Sequence, residues 1–330
     1  MSKYFLAMDI GGTKTTGALF SEDGKLVDDY TYVRKSQTFK GEEVVYQNTK
    51  KVLDKVIEHF GIDMNDVLGI GVGSPGPLNT EQGIVIHAPL MGWKNFPIAK
   101  RLQKDFEKPV KIDNDGNLGA LAEQRCGVAV GKQNVMYITV STGCGGGLVI
   151  NGEIYHGKND GAGEVGHMSI QPEGKECPCG AKGCFEMYAS GTAINKKVRE
   201  DIRNGQKSML WEESEHNVEC IDGAMIMRAA SKGDPYALAV YREEGYYLGV
   251  ALSNVFNLFS PEVLVLGGGV TKAKKYFHEE MMKGIEERCI QKPREEQIRY
   301  SVMNDKVVLY GAYCLISDFI KREKKTNQRA

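Results

Sequence analysis

The stretch DIGGTKTTGALF, residues 9–20, sets two glycines, a threonine and a lysine between two apolar runs. Residues 3–10 and Thr15–Phe20 read as strands joined by that turn. Asp23-Gly24 is a hairpin dipeptide, and Leu26–Val33 returns as a third strand. The pattern recurs in TVSTGCGGGLVI, residues 139–150, and NGEI, residues 151–154. There Val135–Val140 is the strand, STGCGGG the turn, Leu148–Ile150 the next strand, Asn151-Gly152 the hairpin and Glu153–Tyr155 the return. Gly147 falls where Gly17 does. A repeated strand, glycine turn, strand and hairpin suggests a duplicated core. The plainer alternative is two glycine-rich hairpins alike by chance.

Working outward, residues 42–60 have helical periodicity, with Val45, Val52, Leu53, Val56, Ile57 and Phe60 on one face and Gly61 at the C-cap. Val67–Val72 is a short buried strand, Pro97 opens a helix through Leu102, and Val110–Ile112 is a strand broken by Asp113-Asn114-Asp115-Gly116. Leu118–Arg125 is helical, with Asp113 or Asn117 as candidate cap. Residues 199–220 form a polar surface excursion with helical pieces. Pro235–Phe259 is a long helix and Val263–Leu266 a buried strand stopped by Gly267-Gly268-Gly269. Thr271 is placed to cap a helix bearing Phe277, Met281 and Ile285, and residues 311–322 form a last amphipathic helix. Strands mixed with long helices predict an α/β architecture.

The 330 residues suit about two domains. Lysine and arginine number 42 and acidic residues 43, a net charge of −1 that gives no global field for nucleic acid. No apolar run approaches a membrane span, and MSKYFLAMDIGG does not read as a signal peptide. The expectation is a cytoplasmic protein with no membrane or nucleic-acid partner. The final KREKKTNQRA, residues 321–330, reads as a frayed, solvated helix end. Eight cysteines in such a compartment are expected reduced: free, metal-bound or catalytic.

Glycine turns let backbone N–H groups approach phosphate oxygens, so Gly11, Gly12, Thr13 and Lys14 form one candidate anion nest and Thr142 with Gly143 a second. Asp9, at the strand end, suits a hydrated Mg²⁺. Gly268 in the third glycine run suits a flat base or ribose, though helix–strand packing also calls for glycine. Neither a Walker A loop nor a dinucleotide fingerprint is present. Asp115, at a strand end before a helix, is a candidate base for accepting a hydroxyl proton in phosphoryl transfer; an Asx turn is the alternative reading.

His167, Cys177, Cys179 and Cys184 bring four nitrogen or sulfur ligands within eighteen residues, a spacing suited to a structural tetrahedral Zn²⁺. Glu164 lies three residues before His167 and Glu186 two after Cys184. Two carboxylates beside a metal-oriented imidazole suit a polyhydroxylated ligand, or they support the metal shell. Cys126, Cys144, Cys220, Cys289 and Cys314 default to small core residues, as do His59, His87, His156, His216 and His278.

Taken in order, DIGGTKTTGALF (9–20), GVGSPGPLN (71–79), DNDGNLGALAE (113–123), STGCGGGLVINGEIYHG (141–157), GAGEVGHM (161–168), CPCGAKGCFE (177–186) and LGGGV (266–270) resemble the ROK family of sugar kinases and repressors. The resemblance implies a two-lobed actin-like ATPase fold, a duplicated ribonuclease H-like α/β core with an interlobe cleft. Residues 1–115 plus 311–330 would form the N-terminal lobe and 116–310 the C-terminal lobe. It implies ATP and Mg²⁺ as cofactors, with Asp9, Gly11, Gly12, Thr13, Lys14, Thr142, Gly143 and Gly268 at the nucleotide. Asp115 resembles the family's catalytic base. Gly73, Pro75, Gly76, Asn114, Glu164, His167 and Glu186 look like its sugar-binding residues, His167 also being a zinc ligand. Gly116, Phe185 and Cys144 depart from the usual Ala, Leu and small residue without removing a chemical group.

The activity so implied is ATP-dependent phosphorylation of a hexose at its 6-hydroxyl, glucose first, with N-acetylmannosamine, N-acetylglucosamine, fructose or allose as alternative substrates. The other class is a non-catalytic sugar sensor. The family's repressors usually carry an N-terminal helix-turn-helix, for which a phosphate loop starting at Asp9 leaves no room, and Asp115 is retained. A homodimer or homotetramer is the expected assembly.

Overall fold

The computed structural model describes residues 2–38 and 40–328. Met1, Phe39, Arg329 and Ala330 lie outside the described residues, so the last two positions of the tail expected to fray are not addressed.

In chain order the first elements are β1 (Tyr4–Ile10), β2 (Lys14–Ser21), β3 (Leu26–Lys35), α1 (Glu42–Phe60), β4 (Val67–Ser74), β5 (Leu78–Asn79), β6 (Ile84–Ala88), β7 (Trp93–Phe96), α2 (Ile98–Phe106), β8 (Val110–Asn114) and α3 (Asp115–Cys126). There follow β9 (Val135–Val140), β10 (Cys144–Ile150), β11 (Glu153–Ile154), α4 (Glu186–Ala189), α5 (Gly191–Arg203), α6 (Leu210–Glu213), α7 (Gly223–Ser231) and α8 (Pro235–Phe259). The last are β12 (Val263–Gly267), α9 (Lys274–Arg288), β13 (Ile298–Tyr300) and α10 (Val307–Asn327).

Two five-stranded sheets have the same order, β3-β2-β1-β4-β8 and β11-β10-β9-β12-β13. In each, the leading strands form antiparallel hairpins, as in β1–β2 and β10–β11. The later pairs run parallel, β1–β4 and β4–β8 in one sheet, β9–β12 and β12–β13 in the other. Parallel neighbours need crossover connections, which α1 supplies ahead of β4 and α8 ahead of β12. Shared order and strand sense bear out the duplicated α/β core.

The contacts divide the chain into two compact units. The first holds residues 1–133, 147–163 and 305–330, the second 134–146 and 164–304. This differs from the lobe boundary read at 115/116, because α3 packs within the first unit. Leu118 and Leu121 share a core cluster with Phe5, Phe20, Leu309 and Ile316. A Cβ on Gly311 of α10 would lie 2.1 Å from the Leu118 carbonyl oxygen, so only glycine allows that helix approach.

Within the first unit β1 is covered on both faces. Phe5 and Ala7 face the α3/α10 cluster, while Leu6, Met8 and Ile10 face a second cluster with Val52, Ile70, Trp93 and Phe96. The period-2 alternation of strand side chains explains this division. The small β5-β6-β7 sheet was not anticipated. In the second unit β12 is buried throughout, and α8 meets α9 where a Cβ on Gly249 would come 2.9 Å from Gly284 Cα.

Helices 42–60 and 235–259 form with the expected bounds. Gly61 takes the left-handed conformation, φ 58°, that ends α1. Pro235 stands in the first turn of α8, and the Asp234 side chain accepts from the Ala237 N–H. Three expectations are corrected. The helix after β8 begins at Asp115 and is capped by Asn114, not by Asp113 or Asn117. Strand β10 begins at Cys144, inside the presumed turn. Thr271 sits within a short 3-10 turn, its hydroxyl donating to the Gly268 carbonyl, and α9 begins only at Lys274. No helix among the described residues is long and apolar enough to cross a membrane.

The default reading of the remaining cysteines and histidines is also corrected. Cys144, Cys289 and Cys314 are buried, but Cys126 and Cys220 are exposed. None of His59, His87, His156, His216 and His278 is fully buried.

Candidate functional site

The first unit gathers Asp9, Gly11, Gly12, Thr13, Lys14, Gly73, Pro75, Gly76, Asn114 and Asp115. The β1–β2 turn is closed by the Gly11 N–H donating to the Lys14 carbonyl at 2.9 Å. Ser36, which sequence reading missed, braces it twice. Its hydroxyl donates to the Gly11 carbonyl and its N–H to the Thr13 carbonyl. These bonds occupy carbonyls and leave the turn's remaining donors for a ligand. Lys14 is exposed, 4.0 Å from the Asp305 carboxylate.

Asp115 is the first residue of α3, where the positive end of the helix dipole and free N–H groups favour a carboxylate. Asn114 Oδ1 accepts from the Gly116 N–H at 2.8 Å, and so does Asp115 Oδ1. A Cβ on Gly76 would stand 3.5 Å from Asn114 Nδ2, so the amide that caps α3 with its oxygen turns its nitrogen to the Pro75–Gly76 segment. Asp113, 1% exposed, holds the junction from beneath. Its Oδ1 accepts from the Asn114 N–H and Asn117 Nδ2, and its Oδ2 pairs with His156 Nε2 at 2.7 Å.

The Asp115 side chain remains open to solvent, yet protein atoms crowd it enough that lost hydration raises its carboxyl above the usual range. Asp9 is pushed up to about 7, first by burial, then by the Asp115 carboxylate, with Lys14 opposing and Asp305 adding. Asp9 thus sits among carboxylates that outweigh the nearby Lys14, and its oxygen donors fit a hydrated Mg²⁺. Gly73 has a packing reason to be glycine: a Cβ there would meet Val308 of α10 at 2.4 Å.

The second unit gathers Thr142, Gly143, Glu164, His167, Cys177, Cys179, Cys184, Glu186 and Gly268. The β9–β10 turn is closed by the Ser141 N–H donating to the Gly143 carbonyl, and it is braced from the segment after the cysteines. The Gly191 N–H donates to the Ser141 carbonyl at 2.7 Å, and Glu186 Oε2 accepts from the Cys144 N–H at 2.9 Å. Glu186 is thus engaged with the glycine turn, a contact its sequence position did not reveal. Gly268, φ 89°, is where a Cβ would strike the Val140 carbonyl at 2.3 Å, so backbone packing requires it. A cavity of about 480 Å³ lies beside it, lined by Thr142, Gly191, Asn195, Tyr241, Gly269 and Ala273. That size suits a small-molecule ligand.

The four presumed metal ligands converge, with all ligand atoms within 4.8 Å of one another. Bonds of about 2.3 Å to a tetrahedral Zn²⁺ set sulfur ligands about 3.8 Å apart. Cys179 and Cys184 Sγ are 3.6 Å apart, and Cys177 Sγ is 3.8 Å from His167 Nδ1. The donor set fits zinc in type, number and spacing. His167 Nδ1 faces the Cys177 sulfur, so a metal bound there by Nδ1 would leave Nε2 as the donor facing away. Glu164 precedes the 3-10 turn Val165–His167, whose i, i+3 alignment puts its exposed side chain on the same side as His167.

The ROK family model matches residues 5–318. A glucokinase of Halalkalibacterium halodurans is 37% identical over 273 residues, covering 82% of this chain and 82% of that protein. A xylose repressor of Caldicellulosiruptor bescii is 32% identical, covering 82% of this chain and 67% of the repressor. Among solved structures, the ROK family glucokinase of Streptomyces griseus in complex with glucose and AMPPNP has a TM-score of 0.81 and 28% identity, covering 94% of this chain and 98% of that one.

Proposed function

Because this chain belongs to the ROK family, we propose that it transfers the γ-phosphoryl group of ATP to the 6-hydroxyl of a hexose, glucose before all others. The observation that carries the reading is the placement of Asp115, exposed at the N-terminus of α3 on a junction held by Asn114, Asp113 and His156, where crowding also raises its carboxyl. A base whose affinity for a proton is increased takes a hydroxyl proton more readily as the oxygen attacks phosphorus. In the first unit Asn114 Nδ2 and the Gly73–Gly76 segment would serve the sugar, and in the second Glu164, Glu186 and the Nε2 of His167 would bind its hydroxyls.

The two glycine turns bind phosphates. Thr13 and Lys14 serve the first, Thr142 and Gly143 the second, and the cavity beside Gly268 takes the adenosine. Asp9 would hold a hydrated Mg²⁺, which when bound neutralises charge on the phosphates. Cys177, Cys179, Cys184 and His167 hold a structural Zn²⁺ that fixes the His167 ring. The reading places the protein in the cytoplasm, with reduced thiols, as a homodimer or homotetramer.

The 32% identity to a xylose repressor keeps one other reading in view, a sugar sensor without turnover. ADP release with ATP and Mg²⁺ across glucose, fructose, allose, N-acetylglucosamine and N-acetylmannosamine separates the two. Turnover fastest on glucose is expected. Sugar binding without ADP release from any of them would establish the sensor.

A further inference from the structure

Two of the five cysteines outside the zinc set meet across the helix pair of the first unit. Cys126 ends α3 and Cys314 lies in α10, 188 positions apart in sequence, and their Sγ atoms are 3.9 Å apart. The helices are held in register on either side of the pair. Leu118 packs on Gly311, and Arg125 Nε bonds Asp318 Oδ2 at 3.0 Å. The two thiols are unlike. Cys126 is exposed, whereas Cys314 is 5% exposed. An oxidant in solution therefore reaches the first, and the second is shielded directly beside it.

We propose that Cys126 and Cys314 form a reversible thiol–disulfide modification site, oxidised by hydrogen peroxide with Cys126 as the attacking sulfur and Cys314 as the resolving one. In the first step the Cys126 thiolate attacks the peroxide. An S–O bond forms, the O–O bond breaks, and the leaving hydroxide takes a proton to become water. In the second step the Cys314 sulfur displaces the hydroxyl of the Cys126 sulfenic acid. An S–S bond forms, the S–O bond breaks, and a second water leaves with the Cys314 proton. The two sulfurs together lose two electrons and the peroxide gains them, after which excess thiol reductant restores the pair.

The electrostatics agree with this division of roles. Hydrogen bonding to Cys314 holds the Cys126 thiol below its usual range, burial and Glu123 oppose, and Arg125 assists. Its partner Cys314 is pushed up, first by that same hydrogen bond, then by burial, with Asp318 adding and Arg125 opposing. Of the two, the accessible sulfur is the one that gives up its proton more readily.

The test is peptide mapping of the full-length, zinc-loaded protein after brief treatment with hydrogen peroxide, with and without later reductant. The expected product is a Cys126–Cys314 linked peptide pair, two hydrogens lighter, lost on reduction. It should appear before the Cys177, Cys179 and Cys184 peptides change and while zinc content is constant. In Cys314→Ser, a dimedone adduct should accumulate on Cys126 well above the wild-type level. In Cys126→Ser, Cys314 should stay unmodified. Exposed Cys220 is the internal comparison for simple accessibility. Oxidation of Cys126 to sulfinic acid with Cys314 left free, or equal dimedone labelling in wild type and Cys314→Ser, would overturn the proposal.

Discussion

The β1–β2 and β9–β10 turns arise from one strand order, yet they are built with different chemistry. The first carries its own charges, Asp9 and Lys14, and is tied down by the neutral hydroxyl and N–H of Ser36. The second has no ionisable group in the turn apart from the buried Cys144, and it borrows one: the Glu186 carboxylate on the Cys144 N–H. That carboxylate comes from a segment that follows the four converging His and Cys side chains. Duplication has kept the backbone path and redistributed the function. In the proposed reading one half would hold the proton chemistry and the cation, while the other would supply neutral donors stiffened from outside.

The strongest way to break this comparison is to neutralise the charged half. Asp115→Asn keeps the α3 first turn and its hydrogen-bonding shape but removes the base. We expect kcat to fall by about 10²–10⁴, the usual contribution of a general base, with KM for the sugar changed only a few-fold. Steady-state ADP release measures both. A kcat within a few-fold of wild type would remove Asp115 from the role and leave the two halves chemically equivalent.

The next effect compares the matched glycines. A Cβ on Gly17 would lie 2.6 Å from Val52 Cγ1, a side-chain neighbour in α1, whereas one on Gly147 would lie 2.2 Å from the Gly116 carbonyl oxygen and 2.6 Å from Asn117 Cα. A side chain yields more cheaply than a helix backbone. Gly17→Ala should cost about 1 kcal/mol and Gly147→Ala about 3 kcal/mol in urea unfolding. Gly147→Ala should also lower kcat, because the backbone it displaces is the first turn of α3 behind Asp115. Equal costs, or a Gly147→Ala protein with normal kcat, would contradict the packing argument.

These examples show what the chain discloses in one dimension. The glycine turns, α1 and α8 are legible because their signals are local: dipeptide turns, a helical period and caps within a few residues. The candidate metal set is legible because four His and Cys side chains fall within eighteen residues. The β5-β6-β7 sheet was missed because its strands are two to five residues long and lie among prolines and glycines. The start of α3 was misread because Gly116 and Asn117 are poor helix formers. Asn114, already assigned to the sugar by the resemblance, is also the residue that caps the helix. Ser36 on Gly11 and Glu186 on Cys144 were beyond reach, since each joins positions 25 and 42 apart with no periodic trace.

Removing the metal tests the borrowed half. Cys184→Ser should lose zinc and loosen the path that carries Glu186 to the Cys144 N–H. We expect a loss of about 10–100-fold in kcat/KM, the range for disturbing the groups that orient a metal-bound ligand. Metal analysis and sugar kinetics on the same sample provide the check. Full activity without zinc would separate the ion from the β9–β10 turn.

The smallest expected effect lies beneath Asp115, in the Asp113–His156 pair, and its sign follows from the direction of the shift. Hydrogen bonding to Asp113 raises the folded-state affinity of His156 for its proton, burial opposes, and the Asp113 charge adds. A group whose folded value exceeds its unfolded value stabilises the protein fully below the unfolded value, about 6.5 for histidine, and ceases to do so as pH rises through the folded one. His156→Gln should therefore destabilise the first unit most in mildly acidic buffer, and the gap from wild type should narrow as pH rises past the raised histidine value. The ring is about one-third exposed, so solvent screening limits the maximum gap to about 1 kcal/mol. Urea midpoints of the two proteins across pH 5–9 measure it. A gap that is constant with pH would mean that His156 acts only through packing, and a gap that widens toward alkaline pH would mean that its proton is not what holds Asp113.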